Sequence, residues 1–229
     1  MARLALVEKG LNFERRQVDI MDTNEQFEPW YVALNPKAVV PTLMIGDEVV
    51  TDTKRIVKRV QEFEGPDLAG DETTSDWLDD IMALHYGVLM YRERVGPDGT
   101  APQIVARGHL LRDLAQTRSE LAELLATRIA GNARFQTLLK TPDMVEEHLN
   151  ATRSLIDKMA QALDQKPFLA GVQYSLADTF ATAALARFTI HRLTDWWAGT
   201  SIEDYYARMK ARPSFNAADV VDTGTEKDL

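Results

Sequence analysis

The chain contains no cysteine. That excludes disulfides, thiolate metal ligands and a cysteine nucleophile supplied by these 229 residues. No apolar run approaches the roughly 18–20 residues that a helical membrane span requires. The opening stretch, Met1 to Gly10, is charged at intervals and lacks the pattern of a secretory signal. A cytoplasmic protein that neither enters nor spans a membrane is therefore expected. Low-complexity tracts and sequence repeats are also missing, which excludes solenoids and disordered tails as the main architecture. Positive charge is in short supply: 26 Lys and Arg stand against 35 Asp and Glu, a formal net charge of -9. A general nucleic-acid binder needs clustered cations to displace counterions, so that class is set aside. His109, His148 and His191 are scattered and suggest no metal site.

What is present is an ordinary globular composition, with 45% hydrophobic and 27% charged residues. The length suits two small domains. Met1 to Lys9 reads as helix stopped by Gly10, Phe13 to Ile20 as a strand, and Asn24 to Leu34 as a short irregular helix ended by Pro36. Val39 to Ile45 and Glu48 to Thr51 form a hairpin about the Gly46-Asp47 turn. Asp52 or Thr53 caps a helix running to about Phe63, with Ile56, Val57 and Val60 inward. The turn-rich stretch Gly65 to Asp71 marks a boundary. Beyond it the pattern is helical. One helix carries Trp77, Leu78, Ile81, Leu84, His85 and Val88 on one face, and Gly96-Pro97-Asp98-Gly99 breaks it. More helix covers Gln103 to Leu139, then Pro142 to about Leu163. Ser175 and Asp178 have capping-box spacing before an apolar, Ala-rich helix from Thr179 to about Ile190. Ile202 to Ala211 is the last clear helix, and Asp222 to Leu229 reads as a frayed tail.

Three features stand in fixed order: a strand opened by Val40-Pro41, Asp52-Thr53 at a helix N-terminus, and the capped helix at Ser175 to Asp178. The helix N-terminus suits a carboxylate and Asp52 suits an ammonium group, as a γ-glutamyl peptide presents at one end. Taken alone, Pro41 reads as an ordinary trans proline opening an edge strand; the flanking hairpin and Asp52-Thr53 reverse that reading, and a helix cap at Asp52-Thr53 is compatible with a ligand role. The order resembles the glutathione transferase superfamily. More narrowly, Gln17-Val18-Asp19-Ile20, Phe27-Glu28-Pro29, Lys37 to Leu43, Pro167 to Gly171, Tyr174 to Asp178 and Tyr205 to Arg212 resemble the tetrachlorohydroquinone reductive dehalogenases.

That resemblance implies an α+β fold. A thioredoxin-like glutathione-binding domain lacking its first strand would occupy 1–64, a linker 65–72, an all-helical domain 73–221 and a flexible tail 222–229. It implies glutathione as co-substrate. Val40 would bind its cysteinyl part through the backbone, with Pro41 cis, Asp52 and Thr53 holding the γ-glutamyl end and Lys37 reaching the glycyl carboxylate. His85 and Tyr86, with Tyr91, would border a pocket for a hydrophobic or halogenated aromatic molecule, although aromatic residues at helical spacing are more often core. A homodimer is implied as well. Ser175 and Asp178 are structural.

The enzymes resembled begin with a strand and a loop that carries Tyr, Ser or, in the dehalogenase subgroup, Cys. Here Met1 falls inside the first helix, so no catalytic residue is assigned. The expectation is a natural start upstream by roughly 10–15 residues. Without that segment, two strand edges should face a gap. In its full-length form the protein is expected to remove halide reductively from chlorinated hydroquinones or related aromatics. The alternatives are maleylacetoacetate-type isomerisation, glutathione conjugation, or a non-catalytic glutathione-binding or interaction protein.

Overall fold

Leu4, Ala5 and Leu6 follow one another within a single turn of α1 (Ala2–Glu8) and are buried. Leu6 joins Val50, Ile56 and Val60 in one apolar cluster, against which Ala2, Leu11, Leu43 and Ile45 pack. Each such aliphatic side chain, fully buried, contributes about 1.5–3 kcal/mol. This computed structural model describes residues 1–223. The cluster draws on α1, on the antiparallel strands β1 (Thr42–Ile45) and β2 (Glu48–Thr51), and on α3 (Thr53–Gln61). A 3-10 turn at Glu25–Phe27 and α2 (Pro29–Leu34), which Pro29 opens, precede the hairpin.

The expected strand from Phe13 to Ile20 does not form; those residues have no regular structure and are mostly exposed, with Phe13 at 37%. A strand exists by pairing, and among the described residues the sheet holds only β1 and β2, which pair with each other. Instead the segment ends in a turn built by Asp19, whose carboxylate accepts from the backbone N–H groups of Met21, Asp22 and Thr23. The first hairpin strand also starts later than expected, at Thr42 rather than Val39.

The helix expected across His85 is two helices, α4 (Thr74–Ala83) and α5 (Tyr86–Tyr91). The stretch from Gln103 to Leu139 likewise divides into α6 (Pro102–Thr117) and α7 (Ala122–Leu139). α6 and α7 pack against each other. α8 (Pro142–Leu163) and α9 (Leu176–Ile190) follow, then α10 (Ser201–Lys210) and a helix absent from the sequence reading, α11 (Pro213–Ala217). No described helix is long and apolar enough to cross a membrane.

α9 is buried along nearly its whole length, and its capping box is formed as the sequence indicates. Asp178 accepts from Ser175 N–H at 2.9 Å, Leu169 N–H at 3.0 Å and the Tyr205 hydroxyl at 2.8 Å. Burial pushes its carboxyl above the ordinary range, against the pull of these donors.

By packing, the chain groups Met1–Met82 with the described residues from Asp157 onward, and Ala83–Ile156 by itself. The turn-rich stretch does not hang free: Leu68 is buried, its carbonyl accepts from Leu176 N–H at 2.8 Å, and Asp71 N–H donates to the Ala170 carbonyl at 3.0 Å. At the other end, the expected fraying does not reach Asp222, which accepts from the Tyr206 hydroxyl and pairs with Lys210 at 3.5 Å. The rest of the expected tail, 224–229, lies outside the described residues.

Candidate functional site

Hairpin register assembles the candidate site. Thr42 is paired with Thr51, the last rung of the ladder. One step beyond that rung lie Pro41 on one side and Asp52 on the other. Antiparallel neighbours stand about 4.5–5.5 Å apart, so Val40-Pro41 and Asp52-Thr53 converge at the open end of the hairpin. The Val40–Pro41 peptide bond is cis, as the resemblance implied. Val40 is 40% exposed. Its backbone N–H and carbonyl bond to no other group among the described residues.

Asp52 caps α3. One carboxylate oxygen accepts from Lys54 N–H at 3.0 Å and Arg55 N–H at 3.3 Å. Oδ2 has no partner among the described residues and faces outward from an exposed residue. Thr53 is the first helical residue; its N–H and hydroxyl are likewise unengaged there. The site therefore offers a free anionic oxygen beside two free donors on a helix N-terminus, where the peptide dipoles favour negative charge. Cap and ligand contact are compatible because they use different atoms. Lys54, next along, is occupied by an ion pair with Asp79. Lys37 is exposed four residues before Pro41, and its N–H donates to Asn35 Oδ1 at 3.2 Å.

Below this end lies a set of polar side chains that sequence reasoning missed. Tyr31, from α2, is 2% exposed and Asn35 is 1% exposed. The Tyr31 hydroxyl donates to the Val39 carbonyl at 2.6 Å, and Asn35 Nδ2 donates to the same oxygen at 2.7 Å. Thr42 Oγ1 lies 2.9 Å from the Tyr31 oxygen and 3.2 Å from Asn35 Nδ2. The only available signal was Asn35-Pro36 at the end of α2; a buried tyrosine on a short helix reads as core.

His85 and Tyr86 lie within Ala83–Ile156, the other packing unit. His85 N-caps α5 by accepting from Val88 N–H through Nδ1 at 3.3 Å. It stacks on Phe135 at 5.0 Å between centroids, with the His148 ring also 5.0 Å away. Burial holds its pKa below the ordinary histidine value, and His148 adds to that effect. No group of three or more metal-ligating side chains occurs among the described residues.

Comparison with known proteins decides the family. The glutathione S-transferase N-terminal domain family matches residues 1–62. The tetrachloro-p-hydroquinone reductive dehalogenase of Sphingobium chlorophenolicum is 34% identical, over 96% of this chain and 90% of that protein. The chain belongs to the glutathione S-transferase superfamily. Another member, glutathione S-transferase TCHQD of Arabidopsis thaliana, is 22% identical over 93% of this chain and 82% of its own length. The fold is that of the superfamily too: beta-etherase LigF from Sphingobium sp. strain SYK-6 superposes with a TM-score of 0.68 at 19% identity, covering 95% of this chain and 92% of that one. A glutathione transferase thus provides the frame in which the hairpin end is to be understood.

Proposed function

We propose that the open end of the β1–β2 hairpin binds glutathione, and that the protein serves glutathione-dependent chemistry on chlorinated hydroquinones or related aromatics. The observation that carries this is the order of groups at that end, where Val40, Asp52 Oδ2 and Thr53 are unengaged among the described residues. Thr53 N–H and hydroxyl would receive the γ-glutamyl carboxylate, and Asp52 Oδ2 the ammonium beside it. The Val40 backbone would pair with the cysteinyl unit, and Lys37 would reach the glycyl carboxylate. Opposite charges thus meet opposite charges along one extended peptide. The dehalogenase relative supports the choice of aromatic substrate, and the helical region bearing His85 and Tyr86 is assigned to it. A homodimer and a domain boundary at 65–72 belong to the same reading.

The reaction has two steps. The glutathione thiolate attacks the chlorinated carbon, forming a carbon–sulfur bond as chloride leaves. A second thiol then attacks that sulfur, giving a disulfide and leaving the aromatic ring with hydrogen in place of chlorine. These 229 residues supply no cysteine, so with this chain alone the second step falls to another glutathione drawn from solution and is the slower of the two. We therefore expect the 229-residue chain to release chloride from tetrachlorohydroquinone while the aryl–glutathione adduct accumulates. Chloride electrode readings and mass spectrometry follow the two species. Absence of chloride release above the uncatalysed rate, with binding intact, would favour the second reading, a non-catalytic glutathione-binding protein; the lack of cysteine is the observation behind it.

Binding is tested separately by calorimetry. Asp52→Ala and Thr53→Ala should each weaken glutathione about tenfold, the size of one charge-assisted hydrogen bond. Unchanged affinity in both variants would remove the hairpin end as the site.

A further inference from the structure

The Val39 carbonyl is held with unusual completeness for a loop oxygen. It accepts from Tyr31 at 2.6 Å and from Asn35 at 2.7 Å, both donors on buried side chains. A carbonyl can only accept, so the single Tyr31 proton is committed to it. The Thr42 hydroxyl, 2.9 Å from the Tyr31 oxygen, must then be the donor in that contact. It accepts in turn from Asn35 Nδ2 at 3.2 Å, while Asn35 Oδ1 takes Lys37 N–H. Every proton in the group has one place to go.

The peptide group joining Val39 to Val40 is planar and trans, so its N–H points opposite its C=O. Pinning the Val39 oxygen inward onto Tyr31 and Asn35 therefore aims the Val40 N–H outward, at the exposed side of the loop. We infer that Tyr31 and Asn35 are positioning residues that act through the Val39 carbonyl to orient the Val40 N–H toward an amide carbonyl of a bound peptide. The inference rests on the glutathione site proposed above. Neither side chain touches the ligand; both are nearly fully buried. Donors fixed in advance lose less freedom on binding than donors on a mobile loop, and the gain is in affinity.

The test follows the backbone amides of Val40 and Thr53 by NMR during glutathione titration of the wild-type chain and three variants. Tyr31→Phe deletes one donor to the Val39 carbonyl, and Asn35→Ala deletes the other. Thr42→Val is nearly isosteric and removes a hydroxyl that bonds to Tyr31 and Asn35 but not to Val39. In the wild type, glutathione should shift both amides. In Tyr31→Phe and Asn35→Ala the Val40 shift should shrink while the Thr53 shift persists, and the Kd should rise about fivefold or more. In Thr42→Val the Kd should stay within about twofold, with the Val40 shift retained. Thermal melts accompany each variant; should Asn35→Ala fail to fold, Tyr31→Phe carries the test alone. Equal losses in all three variants would mean general loosening and overturn the positioning role. So would a Tyr31→Phe protein that binds as the wild type does, with the Val40 shift intact. A wild-type chain whose Val40 and Thr53 amides both ignore glutathione would overturn the binding site itself, and the inference with it.

Discussion

At Gly108 a Cβ would stand 2.7 Å from Asn132 Oδ1 and 3.4 Å from Gln136 Nε2. Asn132 cannot simply swing aside, since it donates to the Ile104 carbonyl at 2.9 Å and accepts from Gln136 at 2.7 Å. Alanine would gain about 1 kcal/mol of helix propensity over glycine. Overpacking against a fixed amide costs about 1–3 kcal/mol, so Gly108→Ala should lower the melting temperature by a few degrees. A melt at or above wild type would show that α6 and α7 can part at this point. Asp19 makes a separate case for a residue set by its surroundings. Donation from the N–H groups of Asp22, Met21 and Thr23 lowers its pKa to about 2. A carboxyl lowered on folding contributes stability that is complete above its ordinary range and fades as pH falls through the folded value. An NMR titration of the Asp19 carboxyl should therefore show its midpoint near that value, and a midpoint in the ordinary range would mean the turn is not formed.

The junction of α4 and α5 carries a pH dependence of its own. His85 Nδ1 must be unprotonated to accept from Val88 N–H, and an imidazolium has no lone pair to offer. His148 is the titratable ring that faces it, from α8, while the α7 face is the Phe135 ring. With its pKa depressed in the fold, His85 supports stability above the ordinary histidine range, and that support is lost as pH falls through the folded value. Relative to the intrinsic exchange rate, which itself slows as the pH falls, protection of the Val88 amide should drop below the ordinary histidine range, and His85→Asn, which also caps helices, should flatten the response. Wild-type protection with no such change would rule out the cap as a titrating element. Elements of this kind also mark the limit of what sequence conveys. The hairpin, the Asp52 cap and the box at Ser175 and Asp178 were legible because each depends on residues close in the chain. The break at His85 was not, since Leu84, His85 and Val88 continue the apolar period across it. Phe13 to Ile20 misled for the opposite reason: its residues suit a strand, but strands are completed by partners elsewhere. Tyr31 and Asn35 were overlooked because their shared target, the Val39 oxygen, is a backbone atom.

Across the whole molecule, the beginning and end of the described chain are tied by one buried carboxylate. Glu8, at the end of α1, accepts from Arg212 Nε at 2.7 Å and Nη2 at 2.6 Å, and also from the Ser214 hydroxyl. The Glu8 side chain is only 6% exposed, and the Arg212 guanidinium lies 3.9 Å from the centre of the Tyr174 ring. Removing one partner of such a pair strands the other, at a cost of about 3–5 kcal/mol, whereas replacing both by apolar groups can be nearly neutral. Arg212→Ala should therefore unfold at clearly lower urea than wild type, and Glu8→Leu with Arg212→Met should regain most of the loss; equal midpoints for wild type and Arg212→Ala would show the pair to be idle. The stitching of Leu68 and Asp71 onto Leu176 and Ala170 has its own practical consequence. A protease seeking a hinge between the hairpin region and the helices after it would find the backbone there already bonded and Leu68 out of reach. A piece begun at residue 73 would leave the Leu176 N–H and the Ala170 carbonyl without those partners, so any cut in the gene belongs before Leu68, with the turn-rich stretch kept on the helices that follow it.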